Sequence, residues 1–205
     1  MLSGWVFAAI AGSVATSGDD EGVDPAVVRI VEEARNGSVQ AFADLYDLYV
    51  DRVYRYVVHR VGDRHLAEDL TADVFTRALR RMSTYTYTGK DPAAWLLTIA
   101  RNRVHDHFRS GRFRLESPVE QLAELPDAGD SPEVAAERAE TGAMIREALN
   151  KLRSDHAEVL YMRFLQGLSV GEVAEVMNRR EGAVRALQFR ALKALAKHVP
   201  EGVVP

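Results

Sequence analysis

Residues 167–195 read G-L-S-V-G-E-V-A-E-V-M-N-R-R-E-G-A-V-R-A-L-Q-F-R-A-L-K-A-L, and this stretch decides the fold. Ser169 followed three residues later by Glu172 is a capping box, which starts a helix by giving partners to the first backbone N–H groups. Val173, Ala174 and Met177 place apolar groups on one side of it, and Asn178-Arg179-Arg180 interrupts the period. A second helix starts at about Glu181, with Val184, Leu187, Ala191 and Leu195 at steps of three and four forming one inward stripe. A rotation of 100° per residue turns Gly182, Arg185, Ala186, Phe189 and Lys193 outward, with Arg190 at the edge. Small residues near the helix start allow close backbone approach, the arginines suit guanine edges or phosphates, and Phe189 suits a thymine methyl. Such a pair is the layout of a helix-turn-helix whose second helix enters a major groove. An ordinary surface hairpin with a solvated basic face has a similar pattern. The six basic residues against one acid between Arg179 and Lys197 favour DNA.

The whole chain, 205 residues with a formal charge of −4, is on balance acidic. Its charge is segregated. Residues 1–28 carry Asp19, Asp20, Glu21 and Asp24 with no Lys or Arg, and residues 116–140 carry eight acids against Arg138 alone. Basic charge is therefore concentrated elsewhere, and the mean conceals it. The absence of Cys excludes disulfides and thiolate metal sites and fits a reducing cytoplasm. Leu2 to Ala15 is apolar, but it is short for a membrane span and has no basic flank, so residues 1–25 are expected to form a flexible arm.

Pro25 opens a short helix that Asn36-Gly37 stops, and Phe42, Leu45, Tyr49, Val53 and Tyr56 then mark a long amphipathic helix ending at Gly62-Asp63. The next helix turns Leu66, Leu70, Val74 and Ala78 inward and carries Asp69, Asp73 and Arg77 at i, i+4 and i+8 outside. A polar loop with Tyr85 and Tyr87 follows. Asp91 caps and Pro92 starts a helix whose core stripe is Leu97, Ala100, Val104 and Phe108. Trp95, Ile99, Asn102, Asp106 and Arg109 are expected to face away, with Arg103 beside them. Five arginines against one acid over residues 101–114, behind an aromatic loop, suit a partly melted nucleic acid: cations for its backbone and rings for unstacked bases. His105-Asp106-His107 does not make a metal site, because adjacent helical positions diverge by 100°. No phosphate-cradling Gly loop, nucleophile elbow or pocketed carboxylate pair argues for an enzyme.

From Phe113 the helical pattern lapses into a stretch with Pro118, Pro126, Pro132 and most of the second acidic block, which reads as an extended linker. Ser131-Pro132-Glu133 starts another helix running through Ala143, Ile145 and Leu149 to Leu152, and Asp155 caps one containing Val159, Leu160 and Phe164. The expected fold class is all-α: a flexible arm over 1–25, a helical domain over 26–112, an acidic linker over 113–138 and a helix-turn-helix domain over 139–200.

With these pieces in this order, residues 36–198 resemble an extracytoplasmic-function (ECF) sigma factor of the sigma-70 family, most like the actinobacterial members. A-E-D-L-T-A-D-V-F-T-R-A-L (67–79) is similar to the region 2 helix that binds the polymerase clamp, and W-L-L-T-I-A-R-N-R-V-H-D-H-F-R (95–109) to the minus-10-reading helix. Residues 168–192 are similar to region 4, the minus-35 reader. The resemblance implies that Asp69, Asp73 and Phe75 contact core RNA polymerase. It implies that Tyr85, Tyr87, Lys90, Trp95, Asn102, Arg103, Asp106 and Arg109 serve the minus-10 element, the loop from Thr84 to Lys90 holding a flipped base. Arg180, Glu181, Arg185, Gln188, Phe189, Arg190 and Lys193 are then minus-35 residues. Ala72 stands where the family often has Gln, Ala183 where Thr is commoner, and Phe189 where a basic residue is frequent. The implied protein is a cytoplasmic, non-catalytic initiation factor needing no metal or cofactor, and a monomer when free. Its implied partners are promoter DNA, core polymerase through clamp and flap, and a cognate anti-sigma factor, membrane-bound or soluble. The acidic linker is implied to occupy a positively charged nucleic-acid path in the enzyme. The rival readings are a stand-alone helix-turn-helix regulator, which would dimerise on a palindrome, and a metal-dependent nuclease using Asp106.

Overall fold

The computed structural model describes residues 23–110 and 147–198, and every regular element among them is helical. The arm up to residue 22, the linker over 113–138, and the helix start at Ser131 with Ala143 and Ile145 lie outside the described residues. The chain divides into two compact units.

In the first unit α1 (Pro25–Arg35) has Pro at its first position and Asp24 at its cap, the carboxylate accepting from the Ala26 N–H at 2.8 Å. Gly37 at φ 93° makes the turn into α2 (Val39–Val61), where the Ser38 hydroxyl accepts from the Ala41 N–H at 3.2 Å. Gly62 at φ 72° ends α2, and Asp63 caps α3 (Arg64–Arg81) through the Leu66 N–H at 2.8 Å. A 3-10 turn (Met82–Thr84) and a loop lead to α4 (Ala93–Arg109), whose Ala93 N–H donates to Asp91 at 2.8 Å. The sequence thus states its own boundaries through short polar caps.

The core forms where α2 packs against α1, α3 and α4, and α3 against α4. Val31, Leu45, Tyr56, Val57, Ala67, Val74, Leu96, Leu97, Ala100 and Val104 are sealed in it. Four positions depart from the periodicity. Ile99, expected outside, is buried, because α4 lies against both α2 and α3 and therefore needs a wider apolar face than one stripe. Phe42, Leu66 and Phe108 are only half-buried, and Ala41 and Ala67 sit inside beside the first two.

In the second unit a helical turn at 147–150 precedes α5 (Ser154–Leu160), which continues into a π-helical turn over Tyr161–Leu165. Asp155 does not cap α5. The helix begins one residue earlier, leaving Asp155 in the first turn, where its carboxylate takes Arg179 Nη2 at 2.6 Å. The π turn closes through the Gln166 N–H on the Tyr161 carbonyl at 3.0 Å, and the Gln166 side chain donates to the Tyr161 hydroxyl at 3.1 Å. Gly167 at φ 67° then redirects the chain into α6 (Val170–Met177). The capping box forms as expected: the Ser169 N–H donates to Glu172 at 2.7 Å and the Glu172 N–H to the Ser169 hydroxyl at 3.2 Å. Asn178 at φ 51° makes the tight turn into α7 (Glu181–Leu195), which packs along α5 and buries Val184, Leu187, Ala191, Leu192 and Leu195. Among the described residues no helix is long and apolar enough to cross a membrane.

Candidate nucleic-acid interface

Three surfaces carry the residues singled out in the sequence. On α3, Asp69 is exposed, while Asp73 is half-exposed and already engaged. One Asp73 oxygen takes Arg77 Nε at 3.3 Å, and the other takes Arg103 Nε of α4. Phe75 is 4% exposed, its ring set edge-on to Tyr46 of α2 with centroids 4.7 Å apart, so in this chain it packs α3 against α2.

On α4, Asn102, Asp106 and Arg109 are exposed on the outer face as expected, and Arg103 is half-buried, its Nη1 lying 3.8 Å from Asp106 Oδ2. Val104 and Ala100 fill the opposite face, so core packing fixes which way the polar groups point. Trp95 lies half-buried with Tyr85 stacked on it, ring centroids 4.3 Å apart and planes 29° apart. Between them Tyr87 is half-buried, Lys90 is exposed and Gly89 turns at φ 79°. Asp91 anchors the loop in a way the sequence did not announce. Besides capping α4 it accepts Arg52 Nη1 of α2 at 2.8 Å and bonds the Tyr49 side chain. The cap was legible from Asp-Pro; partners about 40 residues upstream were not.

Burial, then the neighbouring Tyr87 and Asp91, pushes the Tyr85 phenol up to about 12, and Tyr87 is raised by burial and by Asp91 and Glu32. Tyr49 is raised chiefly by burial, with Asp91 adding to it. A raised phenol contributes its stability below the unfolded value of about 10 and loses it as pH climbs through the folded value. Absorbance titration should therefore show late-titrating phenols, of which the one near pH 12 disappears in Tyr85→Phe. A Tyr85 phenol titrating at its ordinary value would mean that the stack on Trp95 does not shield it.

At the start of α7 Arg180 is exposed, and on the helix Glu181, Arg185, Phe189, Arg190 and Lys193 are exposed and Gln188 is half-buried. Phe189 is 58% exposed, unusual for a large ring on a soluble helix. Arg185 Nη2 pairs with Glu181 Oε2 at 2.9 Å across one turn, an exposed pair that adds little stability but directs the guanidinium along the outer face. Gly182 has open space where a Cβ would stand, and Ala183 and Ala186 beside it are exposed, so the first turns of α7 present accessible backbone. Among the described residues no group of three or more His, Cys, Asp or Glu is placed to hold a metal ion.

Residues 45–114 match the family description Sigma-70 region 2, and residues 142–195 match Sigma-70, region 4. The chain is 46% identical over 175 residues to the ECF RNA polymerase sigma factor BldN of Streptomyces coelicolor, a match spanning 85% of this chain and 66% of that one. It is 32% identical to the ECF RNA polymerase sigma factor SigX of Bacillus subtilis, over 78% of this chain and 84% of SigX. The fold is similar to that of CnrH, solved in complex with the cytosolic domain of CnrY, with a TM-score of 0.60 and 19% identity over 82% of this chain and 94% of that one.

Proposed function

The chain belongs to the ECF sigma factors of the sigma-70 family, and from that premise we propose a division of promoter recognition between its two units. Sigma factors are not enzymes; the polymerase supplies the chemistry. The observation that carries the proposal is that each unit exposes a cationic helix whose opposite face is locked in its own core: α4 with Asn102, Arg109 and the adjoining loop, α7 with Arg185, Arg190 and Lys193.

In this reading α3 seats on the clamp of core polymerase around Asp69, and the second unit meets the flap. The α7 face enters the minus-35 major groove, with Arg180, Arg185 and Arg190 reaching base edges or phosphates, Gln188 a base edge, Phe189 a thymine methyl and Lys193 the backbone. Glu181 holds Arg185 in register. The α4 face meets the minus-10 element after melting, Asn102 and Asp106 offering hydrogen bonds and Arg109 charge. Tyr85, Tyr87, Lys90 and Trp95 frame the place of a flipped base, whose unstacking costs a few kcal/mol that a fitted pocket must offset. In this reading the domains span 26–112 and 139–200, with residues 113–138 following a cationic nucleic-acid path in the enzyme. The protein works in the cytoplasm, is monomeric when free, and is held off polymerase by an anti-sigma factor covering the α3 face.

Run-off transcription with purified core polymerase and a genomic promoter library tests this. The expected result is a small set of start sites that share paired minus-35 and minus-10 sequences and vanish without core enzyme. Tight, promoter-specific filter binding by the chain alone, or a dimer on gel filtration bound to a palindrome, would instead identify a stand-alone regulator.

A further inference from the structure

Asp73 stands on α3 and Arg103 on α4, 30 positions apart in the chain, with side chains only 35% and 21% exposed. The carboxylate is shared. Arg77, one turn along α3, holds one oxygen at 3.3 Å, and Arg103 holds the other. Arg103 then extends Nη1 towards Asp106, 3.8 Å away on the exposed face of α4. A partly buried, charge-assisted contact of this kind is stronger and better oriented than a surface pair. It fixes the guanidinium against α3 and leaves the Asp106 side chain 57% exposed, with only the longer 3.8 Å contact to Arg103.

We propose that Asp73 is a positioning residue for the minus-10-reading helix, acting through Arg103, rather than chiefly a polymerase contact. This rests on the reading that α4 reads minus-10 DNA and adds to it a physical link between the two surfaces. Asp69, the exposed acid at the proposed polymerase seat, lies one turn before Asp73 on the same helix. Docking on α3 and strand reading on α4 are therefore joined by a single carboxylate. Removing it leaves Arg103 to swing onto Asp106, which takes both groups away from a DNA strand.

The test uses the full chain assembled with core polymerase, a forked DNA carrying a single-stranded minus-10 segment, and a separate competition assay for core affinity. Asp73→Asn should weaken fork binding about tenfold while changing core affinity by no more than about threefold, and Arg103→Gln should do the same. The double variant should be no worse than either single one, since both break one contact. Asp73→Glu, which keeps the charge, should recover most of the fork affinity. The proposal is overturned if Asp73→Asn loses core affinity as steeply as fork affinity, if the two single losses multiply, or if Asp73→Glu is no better than Asp73→Asn. Asn102→Ala separates the two levels of the argument. If it leaves fork binding intact, α4 is not the reader and the functional reading itself fails; if it weakens binding while Asp73→Asn does not, only the positioning role is lost.

Discussion

Arg185→Glu should reduce the affinity of the polymerase-bound protein for its minus-35 duplex about a hundredfold, with helix content unchanged. A good bidentate arginine contact to a base is worth about 1–3 kcal/mol, and each 1.4 kcal/mol is about tenfold in affinity. Reversal adds repulsion from the phosphates to that loss. The helix itself loses little: Arg185 is exposed and its partner Glu181 lies one turn back, so the new pair of acids costs α7 only about 0.5 kcal/mol. Fluorescence anisotropy at several salt concentrations separates the roles on this face. Arg185→Ala should flatten the preference among minus-35 sequences, whereas Lys193→Ala should weaken all sequences alike and lower the salt slope by about one. An Arg185→Glu protein that still ranks minus-35 variants in the parental order would exclude α7 as the reader.

The C-terminal unit was more legible in the sequence than the N-terminal one, and the reason is geometric. Helix α7 packs on one side, so its apolar residues fall on a single stripe, and Val184, Leu187, Ala191 and Leu195 are all buried as the spacing requires. The Ser169–Glu172 box is an i, i+3 pattern and can be read locally. Helix α4 instead touches two neighbours, and a one-stripe reading left Ile99 outside. Phe75 was singled out by resemblance alone, and no spacing announced that its ring packs against Tyr46 of α2. Contacts between elements leave no period at all. Nothing in the spacing joins Asp73 to Arg103 or Asp91 to Arg52, yet these contacts hold the candidate minus-10 helix and its loop in position. The π turn at Tyr161–Leu165 is similarly silent, since Tyr161, Met162, Phe164 and Leu165 around Arg163 read like any helical segment.

Ile99 offers the sharpest test of that difference, because the one-stripe reading and the packed helix predict opposite outcomes for one substitution. If position 99 faced solvent, Ile99→Ala would change stability by no more than about 0.5 kcal/mol. Sealed between α4 and its neighbours at 5% exposure, it should cost about 2–4 kcal/mol, comparable with the fully buried Leu97→Ala, for which about 3 kcal/mol is expected. Trp95, half-buried on the same helix, reports on this unit when Trp5 is replaced by Phe, and urea unfolding followed by its fluorescence gives the midpoint and slope. Asn102→Ala, on the exposed face three residues on, should leave the midpoint unchanged while weakening minus-10 binding. The three variants together distinguish what folds α4 from what α4 presents. Leu97 and Ile99 hold the helix against α2 and α3, and Asn102 gains its outward direction only because they do.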